Sequence, residues 1–237
     1  LLCGNLSTVA NARALRLANW LATPVGQRVL AEETTPLAEA VRRAHGDTLL
    51  WLGCHEVMAQ AVRGCMVRSR LFGAVLPGRA VADTPVLRCL PEALPVANNS
   101  LDAIVLHHAL ETSADPRGAL REAARAIAPG GRLIVCAFNP LSLWGVRRCV
   151  AQFRSDAFRG LHLITTLRLL DWLAVLGFEV QARPLHLQYG LPFQRERARS
   201  DDNALQRALR RRRVPLGGVY LVSATKQAAA MRPLKRA

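Results

Sequence analysis

Aromatic residues make up only 5% of the 237 residues, and 17 Asp and Glu stand against 32 Lys and Arg. Lysine is almost missing: Lys226 and Lys235 are the only two. No apolar run reaches the roughly 18–20 residues that cross a bilayer, because Arg or Asp interrupts every one, so no membrane span is expected. Residues 1–23 lack the apolar core of a signal peptide, being punctuated by Asn5, Asn11, Arg13, Arg16 and Asn19. The six cysteines (Cys3, Cys54, Cys65, Cys89, Cys136, Cys149) fall in no Cys-x-x-Cys or Cys/His ligand spacing. They read as reduced structural thiols, with no metal site, in a soluble cytoplasmic protein. No Gly-x-Gly-x-x-Gly follows the first apolar run, which sets aside a nicotinamide-dinucleotide enzyme.

An apolar share of 51% is enough to fold, and the length suits one domain with extensions. The net charge of +15 is uneven. From Phe193 onward twelve basic residues face three acidic ones, on a background where arginine replaces lysine almost everywhere. Residues 207–213 (RALRRRR) could contact RNA phosphates. No aromatic side chain lies nearby to stack a base, so a solvated arginine face is the plainer meaning.

Hydrophobic periodicity places helices over residues 12–45, broken at Thr23-Pro24, with Pro36 opening a second helix through Arg43. The run 48–53 (TLLWLG) reads as a strand buried on both faces, as parallel sheets require. A weaker strand is expected near 71–75 or 80–82. Residues 101–106 (LDAIVL) form another buried strand. The helix opening at Asp115-Pro116 carries Leu120, Ala123, Ala124 and Ile127 at helical spacing, with Asp115 as its N-cap. Pro129-Gly130-Gly131 stops it in a tight turn, and 132–138 (RLIVCAF) is the next strand. A strand, a helix and a strand in that order imply parallel pairing with a right-handed crossover. Residues 165–176 form a helix closed by Gly177, followed by strands at 178–182 and 219–224.

Residues 94–135 (LPVANNSLDAIVLHHALETSADPRGALREAARAIAPGGRLIV) resemble the second half of a class I S-adenosylmethionine-dependent methyltransferase of the type 11 kind. The Leu-Pro pair, the polar turn, the Leu-Asp strand, the Arg-Glu helix and the Pro-Gly-Gly occur in that family's order. FNPLSLWGVRR (138–148), LDWLAVLGFEV (170–180) and the N-terminal WLATPVGQRVLAEE are similar to a small set of proteobacterial proteins assigned to the same activity. The resemblance implies an α/β fold: a three-layer Rossmann-like sheet with helices on both faces and the cofactor across the strands' C-terminal ends. It divides the chain into a helical lead-in (1–46), a methyltransferase-like domain (47–225) with a basic insertion (193–214), and a basic tail (226–237).

For the site, the resemblance implies that S-adenosylmethionine sits over Gly53 and Cys54, beneath Leu90, Pro91 and Glu92, and against His107. His108, next in line, is a candidate to take a proton from an O or N nucleophile, since histidine titrates near neutrality. Several polar anchors depart from the family: the loop 53–56 keeps one glycine, and Leu90 stands where an aspartate would hold the adenine amino group, leaving Glu92 as the nearest acid. Asn139-Pro140 reads as a structural turn, with Asn139, Ser142 and Trp144 bordering the substrate cavity, and Glu111 as a solvated loop residue. The expected activity is methyl transfer to an unidentified acceptor. The alternatives are a binding or regulatory protein that has lost the cofactor, and an RNA methyltransferase.

Overall fold

Three apolar runs are buried on both faces at once, and they form the centre of the sheet. They are β1 (Thr48–Leu52), β4 (Leu101–His107) and β5 (Ile127–Phe138). Alternate side chains feed two separate cores. Leu49, Trp51, Ala103, Val105, Ile134 and Cys136 join one; Leu50, Leu52, Ile104, Leu106, Leu133 and Val135 join the other. The computed structural model describes residues 2–53, 55–74, 85–151, 156–187 and 217–228. The expected strand at 80–82, the basic insertion at 193–214 and residues 229–237 lie outside them.

The remaining strands are β2 (Ser69–Ala74), β3 (Val86–Arg88), β6 (Phe178–Val180), β7 (Leu185–Leu187) and β8 (Val219–Lys226). The sheet runs β3-β2-β1-β4-β5-β8-β6, with β7 also paired to β8. Strands β1 to β5 pair in parallel with one another, whereas β8 runs antiparallel to β5, β6 and β7. Strand order reverses between β1 and β4, which opens a crevice at their C-terminal ends. This is the three-layer α/β architecture expected from the resemblance.

Helices α1 (Leu2–Leu21), α2 (Pro24–Arg42) and α3 (His55–Ala61) precede or follow β1. Helices α4 (Ala109–Thr112) and α5 (Pro116–Ala126) link β4 to β5; α6 (Leu143–Ala151) and α7 (Thr166–Val175) follow β5. The break at Thr23-Pro24 is present, and the Thr23 side chain accepts from the Gly26 N–H as N-cap. Pro36, however, lies inside α2 instead of opening a new helix. The stripe Val29, Leu30, Leu37, Ala40 and Val41 is buried on both sides of it, and that packing outweighs the roughly 3 kcal/mol an interior proline costs.

Two turns also differ from the reading. Pro129-Gly130-Gly131 is a bulge within β5: the pairing steps from Leu101 with Ile127 to Ala103 with Arg132, and Gly130 takes φ +82°. Asp115 occupies the N-cap position of α5 without a side-chain cap hydrogen bond; it pairs with Arg121 in solvent at 3.1 Å. At the end of the chain β8 continues through Lys226, where the tail was expected to begin. Gly177 closes α7 as anticipated, at φ +79°.

The polar positions of the 94–135 segment are structural at this edge. The Asp102 carboxylate accepts the N–H groups of Asp47 and Thr48 at 2.7 and 2.9 Å, fixing the start of β1 to β4. Arg125 donates to the carbonyls of Leu94 and Val96 and to Asn98 Oδ1, holding the loop before β4.

Candidate active site

At the C-terminal ends of β1 and β4 the backbone is drawn close. Gly53 takes φ +131°, and a Cβ there would come 1.9 Å from the His107 carbonyl oxygen. Only glycine satisfies both demands, so β1 ends in an exposed turn without a side chain over the strand. Cys54, the next expected site residue, lies outside the described residues. His107 ends β4 and is fully buried; His108 follows at φ +54°, a left-handed conformation uncommon for a non-glycine residue. The His108 N–H is anchored on the Cys136 carbonyl at 2.9 Å.

Both imidazoles meet one carboxylate from the N-terminal helices. Glu33 of α2, fully buried, takes His107 Nε2 at 2.9 Å and His108 Nε2 at 3.3 Å. On its other side His108 Nδ1 reaches Glu111 Oε1 at 2.9 Å, and that oxygen also accepts the Phe138 N–H at 2.7 Å. The result is a buried chain Glu111–His108–Glu33–His107 spanning α4, β4 and α2. Glu111 is therefore 1% exposed and bonded, not the solvated loop residue expected.

The network fixes its own protonation. Burial opposes a charge on His108, but the carboxylates of Glu33 and Glu111 outweigh it and raise the imidazole to about 10. Burial likewise works against Glu33; the charge on His108 and the bonds from both histidines prevail and lower it to about 2. His107 moves the other way: burial, helped by the charge on His108, depresses it despite the bond to Glu33. Glu33 is thus a carboxylate, His108 an imidazolium and His107 a neutral ring with its proton on Nε2. A protonated His108 with both nitrogens bonded holds a proton and is not poised to remove one.

Glu33, His107, His108 and Cys136 each bring a donor atom within 4.8 Å of the others. The separations between Glu33 and the imidazoles are of hydrogen-bond length, 2.9 and 3.3 Å. The Cys136 thiol is pushed well up by burial and then by the two carboxylates. The four are donor types that could hold a metal ion once deprotonated.

An aromatic wall stands beside it. The His108 ring stacks on Phe138 at 4.3 Å between centroids, and Phe138 stacks on Trp144 at 5.4 Å. Trp20 of α1 and Phe158 close the group edge-on. Four of the chain's twelve aromatic residues meet at this point. Buried polar atoms without a partner among the described residues include Trp51 Nε1, His107 Nδ1, Glu111 Oε2 and Trp144 Nε1. Such atoms are rare in a closed core and mark places where a water or ligand atom belongs.

The other expected residues are only partly gathered here. Leu90 is half-buried and makes a bridge with Ala93; Pro91 is buried. Glu92 turns toward the start of α5, where Oε1 accepts from the Ser113 hydroxyl and from the N–H groups of Ala114 and Asp115. Its Oε2 is buried without a partner. Asn139 is a turn residue as read: Nδ2 donates to the Gly217 carbonyl at 3.0 Å and Oδ1 accepts the Leu141 N–H at 3.0 Å. Glu33 was not singled out from sequence. The available signal was its place in the apolar stripe of α2, four residues after Val29 and four before Leu37, where an acid has no reason to be unless it is paired.

Residues 57–135 match the family model for a methyltransferase domain. An uncharacterized Escherichia coli protein, YafS, is 40% identical over 90 residues, 38% of each chain. A demethylmenaquinone methyltransferase of Mycolicibacterium vanbaalenii is 37% identical over 75 residues, 32% of each. The chain thus spans well under half the length of these curated relatives. Among solved structures, a SAM-dependent methyltransferase from Thermotoga maritima superposes with TM-score 0.59 at 18% identity, covering 84% of this chain and 91% of its own. No helix among the described residues is long and apolar enough to cross a membrane. Sheet order, matched segment and superposition together place this chain among the class I methyltransferase folds, with a methyltransferase-domain segment at residues 57–135.

Proposed function

We propose that the protein transfers a methyl group from S-adenosylmethionine to a small-molecule acceptor. The observation that carries the reading is position: the matched segment 57–135 delivers His107 and His108 to the β1/β4 crevice, opposite the exposed Gly53 turn. That turn fits the cofactor, because its backbone can be approached closely with no side chain in the way. Leu90 and Pro91 would offer the adenine apolar contact. The bound cofactor supplies an electrophilic methyl on a sulfonium; the chain supplies alignment and exclusion of water. Glu33, Glu111 and His108 act as positioning residues that lock the end of β4, its left-handed turn and the aromatic wall. The free cysteines Cys65, Cys89, Cys136 and Cys149 support a reducing, cytoplasmic setting.

Calorimetry with S-adenosylmethionine and S-adenosylhomocysteine tests this directly. Saturable binding of both is expected. No binding at millimolar ligand would sink the enzyme and leave a non-catalytic protein on the same fold.

A further inference from the structure

Outside the buried network, a groove of about 860 Å³ opens between α1 and the segment joining α6 to α7. Its walls carry Arg13, Arg16, Arg148, Arg159 and His162, and its single acid is Asp156. That acid is already engaged, lying 3.2 Å from Arg147 and accepting the Phe158 N–H at 2.9 Å. Several of the arginines are held by backbone carbonyls across the groove. Arg13 Nη1 donates to Ser113 O at 3.1 Å, Arg16 Nη2 to Arg159 O at 3.2 Å, and Arg148 Nε to Leu161 O at 2.7 Å. Carbonyls orient these guanidiniums without neutralising them. Arg13 is destabilised as a cation by burial and then by its neighbour Arg16, which the Glu92 carboxylate only partly offsets. Four arginines thus meet in one concave space against the carboxylates of Asp156, which is paired with Arg147, and Glu92, which acts on Arg13, and an anion would relieve the excess positive charge.

We infer that this groove is an anion subsite for a phosphate or diphosphate group carried by the methyl acceptor. The inference rests on the methyltransferase reading for the word acceptor, and on the groove alone for the anion. Guanidinium forks match phosphate oxygens, and several converging cations suit a group with more than one negative charge. The volume suits a small molecule. The groove adjoins the candidate active site directly. Trp20 lines it and packs edge-on against Phe138 and Trp144. His162 donates its N–H to the Glu111 carbonyl at 2.9 Å, and its Nδ1 lies 2.9 Å from Ser113 O.

Isothermal calorimetry with inorganic diphosphate at low salt is the test, on wild type, on the double variant Arg16→Gln/Arg159→Gln and on Arg121→Gln as a surface control. Arg16 and Arg159 are exposed, so the fold should survive, which thermal melting verifies. Saturable binding is expected, weakened about tenfold or more in the double variant and unchanged in the control. Absent binding, or equal binding in all three, would overturn the subsite. So would arginine-dependent binding to phosphatidylglycerol vesicles without binding of diphosphate, since the anion source would then be a membrane. S-adenosylhomocysteine, titrated in parallel, keeps the two readings apart. Its affinity should not change in the double variant. Cofactor binding without diphosphate binding removes the groove alone, whereas diphosphate binding without cofactor binding removes the acceptor assignment and the methyltransferase reading together.

Discussion

At the N-terminal edge of the central strands, charge stays near solvent and ties loops together. Arg125 reaches Leu94, Val96 and Asn98; Lys226 Nζ donates to Asn99 Oδ1 and to the carbonyls of Ala124 and Ile127 at 2.7–2.8 Å, closing the end of α5. At the opposite edge of the same strands, Glu33, His107, His108 and Glu111 are all buried. Ion pairs of the first kind cost little and hold geometry. A buried network costs desolvation that its attraction only just repays, and apolar residues would pack as stably. Among the described residues this fully buried arrangement stands where the fold has its crevice, which is the pattern of a functional site.

The largest expected effect comes from removing one member of the buried set. Glu33→Ala leaves the His108 imidazolium facing a void, and a loss of about 3–5 kcal/mol is expected in urea unfolding. Glu33→Gln, which keeps the shape and one acceptor, should recover part of it. A loss no greater than that of an exposed acid would erase the contrast between the two edges.

Acidity and alkalinity should reveal the same pair. The Glu33 carboxyl is lowered in the fold, to about 2, so its contribution is present above the unfolded value of 4.5 and fades as pH falls toward 2. His108 is raised to about 10, so its contribution is full below 6.5 and is lost as pH climbs from 6.5 toward 10. Unfolding midpoints measured from pH 6 to 10 should therefore decline, and the slope should flatten in His108→Asn.

At the other edge, Lys226→Met deletes three hydrogen bonds at the end of α5, and about 1–2 kcal/mol should be lost by denaturant titration. The smallest effect belongs to Asp115→Ala. Its carboxylate caps nothing and pairs with Arg121 in solvent, so less than about 0.5 kcal/mol is expected; a loss near 1 kcal/mol would restore it as a working N-cap.

The strands β1, β4 and β5 were legible because burial on both faces writes a continuous apolar run. Short strands such as β3 and β7 were not, since a three-residue exposed or half-exposed segment carries no period. Gly53, His107 and His108 were picked out through the resemblance to the methyltransferase family, which points to the ends of β1 and β4. What escaped was the pairing. Glu33 lies 74 residues before His107, and no local pattern announces that a helix entering from the N-terminus will bring its one buried acid to the end of β4. Glu111 failed for a related reason: three residues from His108, its spacing suggested neither burial nor exposure, and only the Phe138 N–H and the α4 turn decide it.

The aromatic wall has an optical consequence. Three of the four tryptophans, Trp20, Trp51 and Trp144, are buried around the His107–His108 pair, while Trp172 sits on α7 beneath Arg117 and Arg168. Three of the four emitters therefore lie within one or two side chains of His108. Any molecule that enters the crevice, or any event that moves α1 away from the sheet, should register in the native fluorescence without an added label.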